Sequence, residues 1–167
     1  MLLIVMGVTG CGKSTIGQML AERVGLPFYD ADAYHPEANR SKMASNTPLE
    51  DADRWPWLSR LAELAAEWDA TGGAVLACSA LKQTYREILI SHVPQHRFVF
   101  LELSREGAAR RLEGRRGQHD IVRDFDRLLD GQFRDLEPPQ GALVISADLT
   151  PTEIVERAAA ELANAAG

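Results

Sequence analysis

Five apolar residues, Leu2-Leu3-Ile4-Val5-Met6, run directly into Gly7, and four residues separate Gly7 from Gly12-Lys13-Ser14. A short unbroken apolar run suits a strand covered on both faces, as in a parallel sheet. Beyond the glycines, Ile16, Leu20 and Val24 recur at helical spacing and Gly25 can end the helix. Strand, glycine loop and helix in that order form a cradle for phosphate. The glycines let the backbone wrap closely, so that the stretch Gly7, Val8, Thr9, Gly10, Cys11, Gly12, Lys13, Ser14 and Thr15 turns its N–H groups toward phosphate oxygens. Lys13 reaches the β and γ phosphates, the Ser14 hydroxyl is placed for Mg²⁺, and the helix adds its positive end. Chance gives such a match in a chain this long less than about one time in a hundred.

The remaining chain alternates strand and helix patterns. Leu26 to Tyr29 reads as a second strand ending at Asp30, and Tyr34 to Pro48, with two prolines, as mixed loop and short helix. Leu58, Leu61, Leu64, Ala65 and Trp68 stripe a helix from Trp57 to Trp68, with Pro56 in its first turn and Asp53 as a nearby cap. Strands are expected at Ala74 to Cys78, Phe98 to Leu103 and Ala142 to Ile145. Helices are expected at Thr84 to Val93, Glu106 to Glu113, Phe125 to Leu136, and after the capping box Thr150-Pro151-Thr152-Glu153. This predicts an α/β three-layer sandwich around a parallel five-stranded sheet, one domain over 1–167. Apolar residues at 46% and charged residues at 25% allow a core without metals or disulfides. Cys11 and Cys78 fit no pairing or metal spacing. The net charge of −6, with no basic tail, argues against nucleic acid as a partner. No run approaches the about 18 apolar residues of a membrane span, and the start lacks the parts of a signal peptide. The expectation is a soluble, cytoplasmic protein.

A held phosphate can be hydrolysed, used as a switch or transferred. A guanine switch needs Asn-Lys-x-Asp, which is absent, and Asp69-Ala70-Thr71-Gly72 ends a helix instead of a buried strand. A chain of 167 residues leaves no room for the lever of an ATPase machine. A small kinase remains, its acceptor beyond the carboxyl ends of the strands. There "DADAYHP" places Asp30 and Asp32 two apart, one able to help hold hydrated Mg²⁺, the other to orient or deprotonate a hydroxyl. His35 lies in the same loop. Lys82 and Arg86 are four apart, sharing one face if helical, with room for an anion between them. Arg54 can clamp a carboxylate through two hydrogen bonds. Arg110, Arg111, Arg115 and Arg116 suit a lid around 105–125 that closes over ATP. His92, His96 and His119 fit no ligand spacing.

These residues resemble the small gluconokinases, relatives of shikimate kinase and adenylate kinase. The resemblance covers almost the whole chain and is carried by "GVTGCGKST", "DADAYHP", "KMASNTPLEDADRWPWL", "CSALKQTYR" and "GQFRDLEPP". It implies a nucleoside-monophosphate-kinase-like fold, ATP-dependent phosphorylation of D-gluconate, Mg²⁺, and often a homodimer. Carried over by position, Lys13 and Ser14 serve phosphates and metal, Asp30 is the metal-side acid and Asp32 the hydroxyl-facing acid. His35, Arg54, Lys82 and Arg86 fall on the sugar-acid side. Of the lid arginines, Arg111 and Arg115 are expected to act with Lys13 in offsetting charge on the transferring group. The chain departs from the family pattern at Asn46, usually Gly, at Ile90, often Arg, and in the longer segment around Gln118 and His119. A kinase for another small acceptor, such as shikimate or a nucleotide, and a non-catalytic ATP-binding protein are the alternatives.

Overall fold

The computed structural model describes residues 1–45, 47–114 and 125–164. Asn46, Arg115, Arg116, Gln118 and His119, with residues 115–124 of the expected lid, lie outside the described residues. The strands are β1 (Leu2–Met6), β2 (Phe28–Asp30), β3 (Ala74–Ala77), β4 (His96–Glu102) and β5 (Leu143–Ser146). They form the parallel five-stranded sheet expected, in the order β2-β3-β1-β4-β5. The helices are α1 (Lys13–Val24), α2 (Glu37–Ala44), α3 (Asp51–Ala70), α4 (Gln83–Leu89), α5 (Arg105–Gly114), α6 (Phe125–Asp135) and α7 (Pro151–Asn164).

All five residues of β1 are buried because the strand is covered on both faces. Its pleat sends Leu3 and Val5 to one side, where they join Ile16 and Leu20 of α1, Leu112 of α5, Leu129 of α6 and Ile154 of α7. Leu2 and Ile4 go to the other side, against Leu58, Leu61 and Ala65 of α3 and Leu89 of α4. These two cores make the three layers. Each fully buried leucine stabilises the fold by about 1.5–3 kcal/mol relative to exposure.

The chain leaves β1 for the edge at β2, returns to β3, then crosses to β4. The sheet therefore reverses its winding at β1, and the crevice at its carboxyl end is where an open α/β sheet binds ligands. Gly7 turns the chain there. A Cβ on it would lie 2.7 Å from the Leu101 carbonyl oxygen and 2.8 Å from the Cys11 sulfur, so no larger residue fits. Gly12, with φ +96°, precedes α1 in the left-handed region that glycine adopts without strain.

Two local expectations are corrected. Helix α3 begins at Asp51, well before Pro56, which lies inside it. Pro56 and Ala52, the residue whose carbonyl loses its helical donor, are both exposed, so water can serve that oxygen. Asp53 is accordingly the third helical residue, its carboxylate accepting the Glu50 N–H at 2.8 Å, and is not the cap. Lys82 and Arg86 do not share a helical face: Lys82 precedes α4 in extended backbone (φ −87°, ψ 149°). The segment after Tyr34, expected as mixed loop and short helix, supplies the short helix α2, and a 3-10 turn occupies Ala31–Tyr34.

Candidate active site

The glycine loop closes on itself. The Val8 carbonyl accepts from the Cys11 N–H at 3.3 Å and from the Lys13 ammonium at 3.1 Å, which lays the lysine across the loop. At the start of α1 the Ser14 hydroxyl donates to Asp30 Oδ2 at 2.5 Å. The other Asp30 oxygen accepts the Asp32 N–H at 3.0 Å and so starts the 3-10 turn. One carboxylate thus ties the end of β2 to the phosphate loop and aims the next acid. Asp32 is 69% exposed, yet the protein wall around it, then the negative Asp30, push its carboxyl above the ordinary value, against the pull of Lys13. The crowding is that of an open crevice, and it favours a carboxylate that can take a proton.

His35 closes the turn. It is only 4% exposed and stacks on Trp57, ring centroids 4.2 Å apart and planes 16° apart. Trp57 is pinned by its indole N–H, which donates to the Ala31 carbonyl at 2.9 Å. Burial first, then the positive Arg54 and Arg40, hold the imidazole down to about 4, so it is neutral at physiological pH.

Arg54 of α3, whose charge acts on His35, and Lys82 gather about Tyr85 of α4. Arg54 and Lys82 flank the Tyr85 ring, at 5.6 Å and 5.4 Å from its centroid. Asp51 accepts from the Tyr85 hydroxyl at 2.5 Å and from Lys82 at 2.9 Å. Those two bonds, the tyrosine's first, hold its carboxyl below the usual range. Arg54 donates to the Leu49 carbonyl at 3.2 Å. Its Nε is the one buried side-chain nitrogen or oxygen without a hydrogen-bond partner among the described residues. Such an orphan donor is what a bound carboxylate would satisfy.

Arg86 is not brought to this group. It is 3% exposed and donates to the carbonyls of Ala80 and Leu81, both at 2.9 Å, and to the Gln83 side chain at 2.8 Å. It thereby braces the β3–α4 loop, where Ala80 takes a positive φ of 42°. Ile90 stands at the end of α4, partly buried against the α3 core.

On the other side of the loop, Arg111 donates to the Gly10 carbonyl at 3.3 Å and to the Ala147 carbonyl, and its guanidinium lies 3.8 Å from Asp148. It walls a cleft of about 330 Å³ with Cys11, Thr15, Ile16, Leu149 and Pro151. The mainly apolar walls, opening onto the phosphate loop, suit a flat nucleotide base. Arg110 is exposed on the same helix. Both cysteines are free and buried. Burial pushes the Cys11 thiol up and Cys78 up to about 12, which makes neither a nucleophile.

Sequence reasoning missed several members. The Thr9 N–H donates to the Gln132 side chain of α6 at 2.6 Å. Glu137, just beyond α6, accepts the Gln83 N–H at 2.5 Å and donates its own N–H to Leu81 at 2.9 Å. Both lie in "GQFRDLEPP", but contacts 123 and 54 residues away in sequence leave no local signal. Asn39 and Tyr85, likewise, look like ordinary helix residues.

A family model described as shikimate kinase matches residues 9–160. A probable gluconokinase of Xenopus tropicalis is 44% identical over 155 residues, covering 83% of this chain and 80% of its own. A gluconokinase of Gluconobacter oxydans is 40% identical over 158 residues, covering 92% and 86%. The crystal structure of a gluconokinase from Sinorhizobium meliloti matches with a TM-score of 0.86 at 39% identity, covering 97% of this chain and 91% of that one.

Proposed function

The chain belongs to the gluconokinases, a branch of the shikimate-kinase-like phosphotransferases, and on that premise we propose that it transfers the γ-phosphoryl group of ATP to the terminal hydroxyl of D-gluconate, giving 6-phospho-D-gluconate. The observation that carries the reading is the orphan Nε of Arg54: a buried donor without a hydrogen-bond partner, on a guanidinium close enough to His35 to act on its charge, at the end of the turn that carries Asp32. An acceptor with a carboxylate at one end and a hydroxyl at the other answers both.

The residues divide the work. Lys13 leaves the Val8 carbonyl for the phosphates, and Arg111 stands beside the base cleft. Asp32 orients the hydroxyl and receives its proton as the new oxygen–phosphorus bond forms and the bond to ADP breaks. Arg54, with Lys82 close by, fixes the acid end and excludes neutral sugars. The Ser14 hydroxyl and Asp30 carboxylate, 2.5 Å apart, are hard oxygen donors that fit Mg²⁺. Among the described residues no group of three or more His, Cys, Asp or Glu forms a metal cage, in keeping with an ion held by one or two side chains plus phosphates. When bound, the ion would neutralise charge on the phosphates. No helix among the described residues is long and apolar enough to cross a membrane. A homodimer and a cytoplasmic location are part of the proposal through the family likeness.

The test is ADP release across a panel of sugar acids, shikimate and nucleoside monophosphates. Gluconate should stand well above the rest, and Asp32→Asn should abolish that release while ATP still binds. Release with shikimate or a nucleotide but not with gluconate overturns the assignment, and no release with any acceptor turns the chain into an ATP-binding protein.

A further inference from the structure

Asn39, on α2, is 3% exposed and takes no part in the roles above. Its amide nitrogen donates to the Asp53 carbonyl at 2.8 Å and lies 3.2 Å from His35 Nδ1. A backbone carbonyl only accepts, so nitrogen, not oxygen, must occupy that corner of the amide. The nitrogen carries two hydrogens. One is spent on Asp53, and the other points at His35 Nδ1. That ring nitrogen therefore accepts, and the single proton of the neutral imidazole sits on Nε2. The Trp57 stack holds the ring plane, and Asn39 holds its rotation. Nε2 then faces Asp32 Oδ1 at 3.8 Å. This is too long for a direct hydrogen bond, but an oxygen seated beside the line between them can reach both at about 2.8 Å.

We propose that Asn39 is a positioning residue that locks His35 as the Nε2–H tautomer, so that His35 donates to the oxygen of the acceptor hydroxyl while Asp32 accepts its proton. A fixed donor beside a fixed acceptor matches a hydroxyl, which can do both at once, and it leaves the second lone pair of that oxygen directed at phosphorus. His35 is not the base, because Asn39 already uses the only lone pair of the ring. The charged groups around the ring agree. Arg54 and Arg40 oppose a second proton, and among the described residues Asp32 is the one acid within 4 Å of the ring nitrogens, at a distance that does not pair. The proposal rests on the reading above only in that the acceptor presents a hydroxyl to Asp32.

Nitrogen NMR of the imidazole in the unliganded full-length protein tests the tautomer without any acceptor. Near neutral pH, Nε2 should be protonated and Nδ1 bare, and Asn39→Leu should give a mixture. A protonated Nδ1 in the wild type overturns the proposal even if gluconate proves to be the substrate. Conversely, the tautomer stands if another acceptor replaces gluconate. Kinetics test its use. His35→Leu should lower kcat/KM for the acceptor about 10- to 100-fold, the worth of one well-placed hydrogen bond, and leave the KM for ATP unchanged. His35→Gln, which restores an N–H at similar reach, should recover much of that loss. Equal activity of His35→Leu and wild type, or equal loss in Leu and Gln variants of the same melting temperature, overturns it.

Discussion

Arg54 and Arg86, on the packed helices α3 and α4, show how one residue type takes opposite parts a short way apart. Arg86 fills its donors with carbonyls of the loop it braces, whereas Arg54 keeps a buried Nε without a partner. Carboxylate recognition by a guanidinium depends on its planar fork, which a lysine lacks. Arg54→Ala should therefore raise the KM for gluconate about tenfold or more, with the KM for ATP little changed, and Arg54→Lys should restore only part of the loss. Steady-state kinetics on both substrates checks this, and an unchanged gluconate KM would place Arg54 in the fold alone. Arg86→Ala is expected to behave differently. It removes the guanidinium that braces the strained Ala80, so it should lower the melting temperature before it changes either KM.

At the scale of elements, α6 and the segment after it link parts of the site that are far apart in sequence. Gln132 reaches the phosphate loop, and Glu137 caps the start of α4 beside Lys82. Glu137→Ala should cost about 1 kcal/mol, as loss of a helix cap does, and Glu137→Gln should recover most of it because an oxygen is kept. Thermal unfolding of both variants decides whether the contact is a cap. Elements such as β1, α1 and α7 were legible in the sequence because local chemistry alone specifies them: an unbroken apolar run, a glycine loop, and Thr150 bonded to Glu153. The start of α3 was not, since Pro56 argues locally for a boundary that packing of Leu58 and Leu61 overrides. For the site, the motifs pointed to Ser14, Asp30 and Asp32, and the structure brings these three together. The shared face expected of Lys82 and Arg86 did not form because a spacing of four implies one only inside a helix, and Lys82 lies outside it.

For the molecule as a whole, His35 ties the site to stability. Its pKa, about 4 in the fold against about 6.5 in an unfolded chain, is depressed, so between those values the unfolded chain binds a proton that the native one refuses. Stability then rises with pH across that window and is lost on acidification, by up to about 3 kcal/mol. Asp51 and Asp53, both held below the ordinary range, lose their contribution in the same direction at lower pH. Melting temperatures of wild type and His35→Gln, compared from neutral pH down to about pH 4.5, should converge on acidification if the variant folds; parallel curves would contradict a depressed His35. The sheet order carries a last consequence. Central β1, hydrogen-bonded on both sides, carries the phosphate loop, whereas edge strand β2, paired on one side only, carries Asp30 and leads to Asp32 and His35. On the proposed reading the nucleotide is gripped from a strand paired on both sides and the acceptor's hydroxyl is met at the sheet's margin, while Arg54 and Lys82 set what the far end of the acceptor must carry, so this architecture can be retargeted to a new acceptor without disturbing the strand that holds its phosphate donor.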